Sequence, residues 1–179
     1  MNQHPRRHVV VVPYDPQWPY LFQQEALLLR QLFGANTVAV DHIGSTSIAG
    51  MHAKPIIDIL VEVQALDLIE NAGPALVQIG YISQSESGIP RRRFFIKGSE
   101  TLRTHHLHIY PAGHPHIARH LAFRDYLRAH PIEAQLYSTL KANLAEQFPD
   151  DLGGYIAGKD AWIKTAEQRA LAWKAGEER

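Results

Sequence analysis

Asp58 stands inside Pro55-Ile56-Ile57-Asp58-Ile59-Leu60-Val61, a run that is otherwise almost wholly apolar. A carboxylate in such a strand is costly to bury unless a partner, a metal or a functional site offsets it. Further along, Thr104, His106 and His108 alternate within Arg103-Thr104-His105-His106-Leu107-His108-Ile109. Alternation puts those three on one face of a strand and His105, Leu107 and Ile109 on the other. Two imidazoles at that spacing can chelate one ion, and beside Asp58 they would make an Asp-His-His metal site. A histidine there could equally serve as a general base. Glu62 shares the Asp58 face but lies about 13 Å along it, too far to join a metal pair about 4 Å across.

Gly44-Ser45-Thr46-Ser47 carries a second kind of chemistry. Glycine lets a backbone approach a phosphate closely, and the hydroxyls and N–H groups around it form an anion cradle. The same composition also makes an ordinary turn, and the lysine of a P-loop is absent. Lys54, the run Arg91-Arg92-Arg93, Arg103 and Lys159 are cations that could meet a phosphate, or could be solvated surface charges. His116 and His120, four apart, fit either helical metal chelation or an exposed helix face.

These residues need elements to position them. Residues 9–12 read as a short strand or extended arm. Asp15 as N-cap and Pro16 as first helical residue open a helix to Phe33, stopped by Gly34. Residues 37–43 and 55–63 read as strands, the second continuous enough in apolar residues to lie at the centre of a sheet. A helix over 66–79 and a short strand from Tyr81 follow. Residues 92–97 and 105–110 read as two strands joined by a turn at Gly98-Ser99-Glu100. Helices are expected over 114–129, from Pro131 with Ile132, Leu136, Leu140 and Leu144 on one face, and over about 155–174 after Gly153-Gly154. Residues 177–179 are expected to fray. The expectation is one α+β (α/β) domain over 1–179, with a sheet region over about 9–111 and a helical region over about 114–175.

Composition narrows the function. The 179 residues contain no cysteine, which excludes disulfides, thiolate metal sites and cysteine nucleophiles. Lysine plus arginine equals aspartate plus glutamate at 18 each, so bulk nucleic acid has no electrostatic draw. No apolar run nears the roughly 20 residues of a membrane span, and the first eight residues do not lead into a signal core. A cytoplasmic protein is expected. Of 11 histidines, seven lie between His105 and His130.

Several segments taken in order resemble the GrpB-like family. They are Val12-Pro13-Tyr14-Asp15-Pro16-Gln17-Trp18-Pro19, residues 41–50 around Gly44-Ser45, residues 53–59 around Asp58, residues 103–109, residues 123–128, and Tyr155-Ile156-Ala157-Gly158-Lys159. The resemblance implies a nucleotidyltransferase-like fold, a small mixed sheet packed by helices with a helical C-terminal part. It implies that Gly44, Ser45 and Thr46 hold phosphates with Lys54, Arg93 and Lys159, and that Asp58 is the first metal-binding acid. The second acid would stand at 60, which is leucine, and His106 or His108 takes the place of the third. A divalent ion (Mg, Mn or Zn) would then rest on Asp58, His106 and His108, with Asp58 and His106 catalytic. The implied partner is a nucleotide or other phosphorylated small molecule. The alternatives are a non-catalytic binding or folding-accessory module acting on a partner protein, and a metal-dependent phosphohydrolase.

Overall fold

The computed structural model describes residues 8–99 and 101–177. The expectations for the chain's first seven residues, for Glu100 in its turn, and for the fraying of Glu178 and Arg179 fall outside that range. Apolar alternation and helical periodicity yield α1 (Trp18–Phe33), β1 (Thr37–Ile43), β2 (Ile57–Val63), α2 (Asp67–Gln78), β3 (Tyr81–Ser83), β4 (Arg93–Gly98), β5 (Arg103–Pro111), α3 (Pro115–Ala129), α4 (Pro131–Gln147) and α5 (Leu152–Glu177). No helix among the described residues is long and apolar enough to cross a membrane.

The five strands form one mixed sheet in the order β1-β2-β5-β4-β3. β2 runs parallel to β5, and the other pairings are antiparallel. β2 is thus interior, as its apolar run requires. Ile57, Ile59, Val61 and Val63 point to one face, where they join Leu107, Ile109 and Phe95 under Leu29 and Ala26 of α1 and Ile69 and Leu76 of α2. The opposite face, carrying Asp58, Leu60, His106, His108 and Tyr110, lies under the helical third. Its apolar cluster is small, Ile43, Leu60, Tyr110 and Ile117, with Phe94 and Ile96 of β4 beside His108 and His106.

Three local expectations shift. α1 begins at Trp18 because Asp15 Oδ1 accepts the Gln17 N–H at 2.8 Å in a turn before the helix. α5 begins at Leu152, with Gly153 and Gly154 inside its first turn, because Asp151 Oδ1 accepts the Gly154 N–H at 2.9 Å as a helix cap. Residues 9–12 form no strand; Val12 makes a single antiparallel bridge to Ala53.

The buried face of α4 also differs from the expected one. Ile132 and Leu136 are exposed, while Tyr137, Ser138, Lys141 and Leu144 are buried. Polar contacts set that rotation. Ser138 Oγ accepts the His52 N–H at 2.8 Å, and Lys141 Nζ donates to the His52 carbonyl at 2.5 Å.

Candidate functional site

The parallel pairing of β2 with β5 sets Asp58 opposite His106 and Leu60 opposite His108. The strand alternation therefore converges as expected. His106 Nδ1 lies 3.0 Å from Asp58 Oδ1, and His108 Nε2 lies 3.9 Å from the same oxygen. Burial alone would raise the Asp58 carboxyl. The hydrogen bond from His106 and the nearby His108 imidazole outweigh it and hold the carboxyl below the usual carboxylate range. An ionised carboxylate only accepts, so His106 Nδ1–H is the donor. In the neutral ring the His106 Nε2 atom is then the lone pair, and it is buried with no hydrogen-bond partner.

The turn of Gly44 and Ser45 packs directly on this pair. Gly44 has φ +69°, and a Cβ there would stand 3.0 Å from Asp58 Cβ and closer still to Oδ2. Only glycine permits both the conformation and the approach. Ser45 Oγ accepts from Lys141 Nζ at 2.7 Å, which leaves the serine proton free to donate. Thr46 departs from its expected role. Its hydroxyl donates to the Ile56 carbonyl at 3.2 Å and faces His42 Nε2 at 3.0 Å. With that proton committed, His42 Nε2–H must be the donor, and Thr46 has no proton left for a phosphate. His42 itself stacks on Phe22 at 4.7 Å, and burial pushes its pKa down to about 4.

A cleft of about 340 Å³ opens between the turn and α5, lined by Ser45, Lys54, Asp58, His106, Lys141 and Lys159. Lys54 and Lys159 flank the Tyr155 ring at 5.6 and 5.3 Å. Lys141 is only 2% exposed. Burial pushes Lys141 down to about 7, the charges of Lys159 and Lys54 push the same way, and Asp58 opposes them. Burial likewise pushes Lys159 down to about 8. The sequence reading missed Lys141. The signal was its spacing from Tyr137 and Leu144, which puts a lysine on the buried stripe of a helix.

Arg93 is not brought to this cleft. It sits on the other face of the sheet, where its Nε donates to Glu70 of α2 at 2.5 Å. Its register opposite Ile109 fixes that side. Arg92 is instead the buried member of the tribasic run, donating to the Glu86 and Ser87 carbonyls. His116 and His120 are not exposed ligands. Arg119 donates toward His116 Nδ1 at 3.1 Å and His120 Nε2 at 3.2 Å, and burial pushes His120 down to about 2.

Asp58, His106 and His108 offer three ligand atoms within 4.8 Å of one another, a possible metal site. One carboxylate and two imidazoles suit a transition ion of the zinc or manganese type. They suit Mg²⁺ poorly, since it takes oxygen ligands, and Leu60 supplies none. The outer shell is less favourable. A ligating histidine usually donates its other N–H to an acceptor, whereas His108 Nδ1 faces the Arg92 guanidinium at 3.5 Å.

The fold is nucleotidyltransferase-like. The poly(U) polymerase Cid1 in its Mg 3′-dATP-bound form aligns with a TM-score of 0.53 at 14% identity, covering 83% of this chain and 49% of that one. That similarity shows the fold alone. The chain belongs to the GrpB family, whose description, GrpB protein, matches residues 8–169. The conserved protein GrpB from Enterococcus faecalis superposes with a TM-score of 0.88 at 43% identity, over 92% of this chain and 99% of that one. UPF0157 protein YqkA of Bacillus subtilis is 48% identical over 97% of this chain and 50% of its own length. The chain thus spans half the length of that relative.

Proposed function

We propose that the protein binds a nucleotide or other phosphorylated small molecule in the lysine-lined cleft beside Asp58. The observation that carries this reading is the buried ammonium of Lys141, held on Ser45 and beside Lys54 and Lys159. Three cations face one carboxylate there, and burial with like-charge repulsion weakens the ammonium form of Lys141 and Lys159, a cost that an entering anion would offset. Gly44 and Ser45 would supply the close backbone and the hydroxyl donor. Asp58 would orient His106, whose unpartnered Nε2 would accept a proton from a hydroxyl or water at the phosphate. Magnesium-bound nucleotides in Cid1 support a nucleotide as the first ligand to try.

A second reading is favoured by the three converging ligand atoms: Asp58, His106 and His108 hold a zinc- or manganese-type ion. Such an ion would supply Lewis acidity at the phosphate. Leu60 favours binding or hydrolysis over a two-metal transfer, because the second acid is missing. A cytoplasmic setting belongs to the same proposal.

Thermal unfolding with ATP or inorganic tripolyphosphate, with and without Mn²⁺ or Zn²⁺, tests both readings. Tripolyphosphate should raise Tm in wild type and at least tenfold less effectively in Lys141→Met. Absence of any shift with either anion overturns the cleft reading. Metal that remains bound stoichiometrically in Asp58→Ala and His106→Ala overturns the metal site.

A further inference from the structure

A second cavity, of about 440 Å³, adjoins the lysine cleft. The two share Lys54, Ile56, His106 and Ile156 as a common wall. Beyond that wall the lining turns aliphatic: Val10 of the N-terminal arm, Pro55, Leu102 of the β4–β5 turn, and Leu152 of α5. Leu102 is 73% exposed, Ile156 51% and Val10 46%. Three large aliphatic side chains from three separate elements thus face one groove and leave it open. Scattered exposed leucines need no explanation, but a shared concave patch running into a charged cleft does.

We propose that this groove takes the aliphatic body of a phosphate ester whose phosphate occupies the lysine cleft. The proposal rests on the cleft reading above and narrows it. The occupant is fixed by what the groove offers. Among the described residues its lining has no phenyl, phenol or indole ring on which a nucleobase would stack, and no carboxamide or carboxylate to pair with base edges. The polar residues of its described lining are His8, Thr101 and Arg103, besides those of the shared wall. A molecule with a charged head and a hydrocarbon tail matches both halves at once. The head would sit among Lys54, Lys141 and Lys159, with the ester oxygen passing His106.

Calorimetric titration of the full chain with inorganic phosphate, butyl phosphate, hexyl phosphate and adenosine monophosphate tests the assignment. Burying hydrocarbon should tighten binding about three- to fourfold per methylene between butyl and hexyl phosphate. Val10→Ser and, separately, Leu102→Ser, both outside the lysine cleft, should flatten the chain-length dependence while tripolyphosphate binds as in wild type. Both positions are exposed, so each variant should fold. A flat series in wild type with intact tripolyphosphate binding overturns the groove alone. Adenosine monophosphate binding more tightly than hexyl phosphate overturns the aliphatic assignment in favour of a nucleobase. Failure of wild type to bind tripolyphosphate overturns the cleft reading, and the groove falls with it.

Discussion

The two faces of β2 show opposite uses of burial. On one, Ile57, Ile59, Val61 and Val63 are at most 2% exposed and pack with α1 and α2 in an apolar layer, with the Lys97–Glu25 ion pair on the same side of the sheet. On the other, Asp58 keeps about a quarter of its side chain accessible and touches His106, His108 and the Gly44 turn. The first face needs only volume and hydrocarbon. The second needs partners for its polar atoms, and the helical third supplies several: Arg124 to Asp41, Arg128 to the Ser47 carbonyl, Lys141 to Ser45. Stability is therefore concentrated on one side of a single strand and chemistry on the other.

The sharpest way to break this division is to exchange the faces. Ile59→Asp places an unpaired carboxylate in the apolar layer and should cost more than about 4 kcal/mol, abolishing folding by circular dichroism. Its neighbour Asp58→Asn should leave a cooperatively folded protein. Leu60→Asp probes the apolar island on the polar face. It places an acid where nucleotidyltransferases carry their second one, yet Leu60 is fully buried against Ile43, Tyr110 and Ile117. It should lower the unfolding free energy in urea by about 3 kcal/mol.

Acid gives a smaller effect. His42 is buried and held neutral, its folded value about 4 against an ordinary 6.5. Between those values the unfolded chain binds the proton and the folded one does not, so stability falls as pH drops below about 6.5. The expected loss from His42 at pH 5.5 is on the order of 1 kcal/mol, read from urea midpoints at pH 7.5 and 5.5. An unchanged difference in His42→Asn would assign the loss to other groups. Smallest is Arg93→Ala. Its pairing with Glu70 is largely exposed on the carboxylate side, so stability should change by about 0.5 kcal/mol or less and tripolyphosphate affinity not at all. A tenfold affinity loss would return Arg93 to the cleft.

Sequence patterns revealed what depends on periodicity. The alternation of Thr104, His106 and His108 and the apolar run around Asp58 placed those residues on strands and on one face. Thr46 lines the cleft with its hydroxyl committed elsewhere, and Arg93 was misplaced, because their partners, His42 with Ile56 and Glu70, are set by tertiary packing. The α4 face was misread because leucines usually mark the buried stripe. Here Lys141 and Ser138 outrank Ile132 and Leu136, since they alone can satisfy the backbone of His52.

The parallel junction of β2 and β5 has a kinetic consequence. Asp58 and His106 lie 48 residues apart, and α2, β3 and β4 must be threaded between them before the strands meet. Hairpins such as β4–β5 can zip from their turns, whereas a crossover must close a long loop first. The site is therefore absent from every partly folded chain that lacks this closure. During refolding, helical signal should return first and ligand binding last. Its assembly is a late report that the whole sheet has formed.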